Sequence, residues 1–129
     1  MIIDASALLA IIFEEVEADR FLNLIADAQG RAISPVNLVE AAIKADDPRH
    51  SAKGRALDAA VSALSIEIAP ITGEQGQIAR EAYRNYGKGR HPARLNLGDC
   101  FAYALAKARR EPLLFKGEDF SKTDVEVAA

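Results

Sequence analysis

The stretch Met-Ile-Ile-Asp-Ala-Ser-Ala-Leu-Leu at residues 1–9 constrains the fold more than any other. Met1, Ile2 and Ile3 form a short apolar run with two β-branched side chains, the composition of a buried strand, and Asp4 interrupts it. Ser6 then offers a cap for a helix begun by the Ala, Leu and Ile residues that follow. A buried strand that ends on a carboxylate and turns directly into a helix predicts an α/β fold. In an open parallel sheet, ligand chemistry collects beyond the carboxyl ends of the strands, so Asp4 falls where a site would be. An Asp is also a good helix cap, and from this stretch alone both roles stand.

The rest of the chain continues the alternation. Residues 6–13 are almost continuously apolar, which predicts a helix buried on most sides, and Glu14-Glu15 ends it in solvent. A second helix over residues 17–28 has Phe21, Leu22, Leu24, Ile25 and Ala28 on one face and Asp19, Arg20, Asn23 and Asp27 on the other, with Gly30 as its stop. Residues 31–34 read as a short strand, and Ser34-Pro35 opens a helix through Val36, Leu38, Val39, Ala42 and Ile43. Glu40 lies within two turns of that start, placed either at the site or on a solvated face. Asp46-Asp47-Pro48 marks a turn into a further helix over residues 55–64. A third strand over residues 65–71 gives way to a Thr72 cap and a helix over residues 74–86, with Ile78, Ala82 and Tyr86 along one stripe.

Asn96 caps a helix over residues 97–109, and Asp99 stands where an acid closes a capping arrangement and suits the helix dipole. Ala102, Ala104, Ala106 and Ala108 let that helix approach its neighbours closely, as a central helix does. Cys100, among these small residues, reads as a buried apolar filler rather than a nucleophile. After Glu111-Pro112, residues 113–115 form a fourth strand that again ends at acids, Glu118 and Asp119. Residues 123–127 supply a last edge strand with Val125 and Val127 facing inward.

The 129 residues suffice for one domain with one sizeable core. A net charge of −3 gives no overall positive field for nucleic acid, so any such contact needs a local patch. The loop over residues 86–94, with Lys88, Arg90, His91 and Arg94, reads either as such a patch or as a solvated basic loop. It is no P-loop, because the Gly-Lys-Ser/Thr ending is absent and no strand directly precedes it. The single cysteine excludes an internal disulfide, and the longest apolar runs are too short to span a bilayer. No secretory signal is visible, which predicts a cytoplasmic protein with no membrane partner. His50 and His91 lie in polar loops and are expected at the surface.

Four segments stand in order: Ile-Ile-Asp-Ala-Ser-Ala-Leu-Leu from Ile2, Ser-Pro-Val-Asn-Leu-Val-Glu-Ala from Ser34, Leu-Asn-Leu-Gly-Asp-Cys-Phe-Ala-Tyr-Ala-Leu-Ala from Leu95, and Leu-Leu-Phe-Lys-Gly-Glu-Asp-Phe from Leu113. Together they resemble the PIN-domain ribonucleases, most closely the VapC toxins of bacterial toxin–antitoxin pairs. The resemblance implies a single PIN domain over residues 1–129, a three-layer α/β sandwich with a short parallel sheet of four to five strands flanked by helices. It implies that Asp4, Glu40, Asp99 and Asp119 are the catalytic acids, with Asp4 and Asp99 as the main metal ligands. Ser6 corresponds to the small hydroxyl residue beside the first Asp. Where relatives often carry two Asp residues after the last strand, this chain has Glu118-Asp119, and Asp119 is taken as the fourth acid. Where many have Asp-Thr-Ser, this chain has Asp4-Ala5-Ser6.

Four carboxylates in one cleft repel, and at neutral pH they either share protons or recruit a cation. Hard oxygen ligands without His or Cys suit Mg²⁺, with Mn²⁺ as a substitute, and such an ion activates water and offsets charge in phosphodiester hydrolysis. Ser6, Lys88, Arg90 and Arg94 are the expected substrate contacts. The resemblance further implies an RNA substrate, structured as a tRNA is, a homodimer, and a VapB-like antitoxin that enters the acidic cleft. The helix pair over residues 36–44 and 55–64 is a candidate docking surface for it. Two other readings place an Asp at a strand end. Aspartyl-phosphate chemistry usually needs a second Asp two residues on, where this chain has Ser6. A non-catalytic nucleic-acid or protein-binding module on the same fold typically loses acids, and this chain keeps all four.

Overall fold

Strands of only two residues build the sheet, so each strand gives one side chain to each face. The computed structural model describes residues 1–50 and 52–129. Among them, β1 (Ile2–Ile3), β2 (Ala32–Ile33), β3 (Glu67–Ile68) and β4 (Leu113–Leu114) form one sheet in the order β3-β2-β1-β4, every pairing parallel. Ile2 stands opposite both Ala32 and Leu113, and Ile33 opposite Ile68. The described helices are α1 (Ala5–Ile12), α2 (Ala18–Asp27), α3 (Pro35–Ala45), α4 (Lys53–Ala63), α5 (Gly73–Tyr86) and α6 (Leu97–Arg109), with a short 3-10 helix at Phe120–Lys122.

Ile2, Ala32 and Leu113 point to one side and pack with Ala79 and Ala82 of α5 and Ala102 and Leu105 of α6. Ile3, Ile33 and Leu114 point to the other and pack with Leu8, Phe21, Ile25, Ala41 and Leu57, from α1 to α4. The result is the expected three-layer sandwich, with two cores divided by the sheet. The small residues of α5 and α6 let these two helices lie close together.

Several local expectations change. Asp4, not Ser6, caps α1, its carboxylate accepting a hydrogen bond from the Ser6 amide at 3.0 Å. The third strand shrinks to β3 because Ile66 turns inward while Ile68, on the sheet edge, stays 51% exposed. The last strand is reduced to a single bridge between Val127 and Leu113. The Thr123 hydroxyl accepts from the Val125 amide at 3.2 Å and bends the chain, so Val125 is buried while Val127 is 46% exposed. Helix α4 begins earlier than expected, at Lys53, from Ala52 in the left-handed region at φ +65°.

From β1 the chain adds β2 and then β3 on one side, and places β4 on the other. The strand order therefore reverses between β1 and β4, and the crevice beyond their carboxyl ends is where such sheets bind ligands. The Asp4 amide donates to the Leu114 carbonyl at 2.9 Å, which sets Asp4 in that crevice.

Candidate active site

Asp4 leaves β1 in the extended conformation that a cap requires. Its Oδ2 accepts from the Ser6 amide at 3.0 Å and the Ser6 hydroxyl at 2.6 Å. The Ser6 hydroxyl in turn accepts from the Lys116 amide, just beyond β4, at 3.0 Å. Ser6 thus clasps the two strand ends that border the crevice. The other carboxylate oxygen, Oδ1, is buried with no hydrogen-bond partner, and the residue is only 4% exposed. Burial pushes the Asp4 carboxyl above its ordinary range, and the bonds from Ser6 only partly oppose that. Capping thus uses Oδ2 and leaves Oδ1 without a partner.

Glu40 comes from α3, which starts where the Ser34 hydroxyl accepts from the Val36 amide at 3.3 Å and Pro35 fits the first turn. Asn37, one turn earlier and fully buried, donates through Nδ2 to Glu40 Oε1 and to the Gly98 carbonyl, each at 2.9 Å. A Cβ at Gly98 would fall on the Glu40 carboxylate, so only glycine admits Glu40 against the first turn of α6. Burial raises the Glu40 carboxyl, the charge of Asp4 adds to the rise, and the Asn37 bond opposes it.

Asp99 closes a capping box at the start of α6: the Asp99 amide donates to Asn96 Oδ1 at 2.9 Å, and the Asn96 amide donates to Asp99 Oδ2 at 3.0 Å. Its carboxyl is pushed up to about 7, first by burial and then by the charges of Asp4, Glu40 and Asp119, against the Asn96 bond. That single group senses the other three acids, which come from the end of β1, from α3 and from the segment after β4. Glu118 and Asp119 are both exposed, and of the two it is Asp119 whose charge reaches Asp99.

Among the described residues, no three His, Cys, Asp or Glu side chains are already drawn together as a metal cage. The carboxylates stand apart instead, with the charges of Asp4, Glu40 and Asp119 all felt at Asp99. That fits a cation such as Mg²⁺, which keeps several of its waters and takes one or two direct carboxylates. The unpartnered Asp4 Oδ1 and the all-oxygen donor set both suit such an ion. Cys100 is 2% exposed and its thiol is pushed up to about 11 by burial, with the Asp99 charge adding to it, so it is no nucleophile.

Lys88, Arg90 and Arg94 are exposed on the loop before α6, and among the described residues none of them forms an ion pair with the four acids. Both histidines are half-buried, not surface residues. His91 accepts from the Ala93 amide through Nδ1 at 3.0 Å and sets its ring edge-on to Tyr86, which makes it a brace for the loop. His50 packs edge-on against Phe13. Sequence reasoning missed Asn37, Gly98 and Lys116. An Asn one turn before Glu40 and a Gly beside Asp99 were the available signals. The Lys116 ammonium is held by Glu15 at 2.6 Å and Glu17 at 3.5 Å, so Glu15 is tied back rather than left in solvent.

Residues 1–126 match the family model described as PIN domain. The chain is 46% identical over 125 residues to a protein named Ribonuclease VapC from Mycolicibacterium smegmatis, covering 97% of each chain. Its fold is similar to that of VapC20 from Mycobacterium tuberculosis, a toxin described as cleaving the sarcin–ricin loop. That match has a TM-score of 0.75 at 16% identity and covers 96% of this chain and 95% of the other. It is also similar to a chain of a toxin–antitoxin complex from Klebsiella pneumoniae, with a TM-score of 0.73 at 20% identity, covering 95% of this chain and 92% of that one.

Proposed function

The chain belongs to the PIN-domain family, and from that membership we propose that it is a metal-dependent endoribonuclease, the toxin of a toxin–antitoxin pair. What supports this reading is that the Asp99 carboxyl is raised to about 7, first by burial and then by the charges of Asp4, Glu40 and Asp119, beside an Asp4 Oδ1 that is buried with no partner. Acids paired with nearby lysines or arginines would serve structure. Acids left to repel one another at the mouth of a sheet serve a cation.

Asp4, through its unpartnered Oδ1, and Asp99 would hold Mg²⁺, for which Mn²⁺ can substitute. When bound, the ion supplies Lewis-acid stabilisation of the charge that develops on the phosphate. Glu40 orients the attacking water and accepts its proton, a task for which a raised carboxyl is better suited than an ordinary one. Asn37 fixes the direction from which it does so. Asp119 shares the orienting role or completes a second cation position. Lys88, Arg90 and Arg94 hold the RNA backbone beside the acids.

The substrate is a structured RNA such as a tRNA, cut at few sites by one PIN domain spanning residues 1–129, working as a homodimer in the cytoplasm. No described helix is long and apolar enough to cross a membrane. A VapB-like antitoxin would dock in the 550 Å³ groove between α3, α4 and β3, lined by Leu38, Val39, Leu57, Val61 and Ile68. Val39 at 58% and Ile68 at 51% exposure leave apolar area there for a partner to cover.

The test is incubation of total RNA with the purified chain, with Mg²⁺ or with EDTA, beside Asp4→Asn. Discrete fragments are expected only from the wild type with Mg²⁺. Cleavage that persists in EDTA removes the metal, and cleavage undiminished in Asp4→Asn removes the nuclease assignment.

A further inference from the structure

A cleft of 370 Å³ lies between α5 and α6, beside the acidic crevice but outside it. Ala79 and Cys100, both buried, form its bottom, and Tyr83, Leu97 and Phe101 its sides. Leu97, on the α6 turn that carries Asp99, is 72% exposed, and Tyr83, on α5 across the cleft, is 40% exposed, so each helix leaves one large apolar surface in water. Arg80 also lines the cleft, and the Arg90 guanidinium lies 5.6 Å from the centre of the Tyr83 ring. Lys88 and Arg94 belong to the same loop as Arg90. No acid lines this cleft among the described residues, although acids fill the crevice next to it.

We propose that the α5–α6 cleft is a base subsite, which seats one unpaired nucleobase of an RNA strand adjoining the scissile phosphate. A nucleobase is flat and apolar on its faces and is flanked by phosphates, and single-stranded RNA is bound by aromatic side chains with cations along the backbone. Tyr83 and Phe101 supply the rings, Leu97 the apolar wall, and Arg80, Arg90 and their neighbours the cations. The volume falls within the range of small-molecule sites. Leu97 and Cys100 share the first turn of α6 with Asp99, and the Asp99 charge is felt at the Cys100 thiol, so the cleft opens next to that acid. The subsite rests on the reading of the chain as an RNA hydrolase, and it adds that cleavage is confined to positions where a base can leave its stack.

Gly76, in the interior of α5, gives a clean test. A Cβ there meets nothing within 4 Å, and Leu is a far better helix former than Gly, so Gly76→Leu fills the cleft without weakening the fold. The measurement is fluorescence anisotropy in EDTA and low salt, so that no strand is cut. Short labelled oligoadenylate is compared with a ribose-phosphate strand of equal length that carries no bases. The wild type is expected to bind oligoadenylate about tenfold more tightly, the worth of one stacked base. Gly76→Leu and Tyr83→Ala should lose that preference while keeping their affinity for the baseless strand. Equal binding of the two strands by the wild type, binding of neither, or a preference that survives in Gly76→Leu overturns the subsite. So does a Gly76→Leu chain whose RNA binding is unchanged and whose self-association in sedimentation is altered, since the cleft would then be a protein interface. The two readings separate: base preference without cleavage of total RNA retains the subsite and removes the hydrolase, and cleavage without base preference does the reverse.

Discussion

Asp99 shows what the crevice does to a carboxylate, for burial first and then three neighbouring charges lift it to about 7 from an ordinary 3.8. An unfolded chain would release this proton near its ordinary value, whereas the folded chain keeps it until about 7. Between those values the native state binds more protons than the unfolded state, so the metal-free protein loses stability as pH rises through that window. Asp4 and Glu40, both raised, add to the same slope. Asp99→Asn is uncharged throughout and keeps an oxygen for the Asn96 amide. It should flatten the slope and stabilise the metal-free chain at pH 8 by about 2 kcal/mol after discounting for solvent screening, while abolishing cleavage. Thermal melts from pH 4 to 8 check this. Gly98→Ala makes the complementary case. Its new Cβ displaces the Glu40 carboxylate, which is the free end of a flexible side chain, so melting should shift by less than about 1 kcal/mol while kcat falls at least about tenfold. Asp4, Asp99 and Asp119 could be singled out from the sequence because they follow strand ends or open a helix, whereas Glu40 read equally as a solvated helix residue and entered the set only through the family resemblance. Asn37 and Gly98 could not, because their roles exist only where α3 meets α6, and neither spacing nor composition reports that contact.

At the scale of elements, the caps were the most readable feature. Ser34, Thr72 and Asn96 all cap as their sequence context predicts, and α6 runs over the expected residues. Capping is local, and local chemistry is what a sequence displays. The edge was harder. Residues 123–127 have the alternation of a strand, but Thr123 bonds its own backbone two residues on, and pairing is confined to one bridge at Val127, made by the Glu126 carbonyl and the Ala128 amide with Leu113. Arg31 was also overlooked, since its guanidinium serves two helix ends at once. It donates to the carbonyls of Ile25, Ala26 and Ala28 at the end of α2 and to that of Leu64 after α4. Carbonyls at a helix end lack the usual helical partner, although that of Ile25 also accepts from the Ala28 amide, and a cation near a helix C-terminus also suits its dipole. Arg31→Met, which keeps much of the stem, should cost about 2 kcal/mol in urea unfolding, with cleavage per folded molecule unchanged.

Over the whole molecule, the four acids come from all three layers: α6 supplies Asp99, α3 supplies Glu40, and the ends of β1 and of the edge strand β4 lead to Asp4 and Asp119. An ion that binds them should therefore raise the melting temperature of the entire chain rather than quiet one loop. A hundredfold excess of Mg²⁺ over its dissociation constant corresponds to about 2.7 kcal/mol, and calorimetry should show that gain in the wild type and its loss in Asp4→Asn. Strands two residues long contribute few ladder bonds, so side chains hold the two leaves of the sandwich against the sheet. At the crevice, whenever the carboxyls of the two leaves are ionised, their like charge opposes that hold. Whatever neutralises that margin acts as a rivet, and a protein kept idle without its cation would sit slightly ajar, tightening only when the means to work arrives.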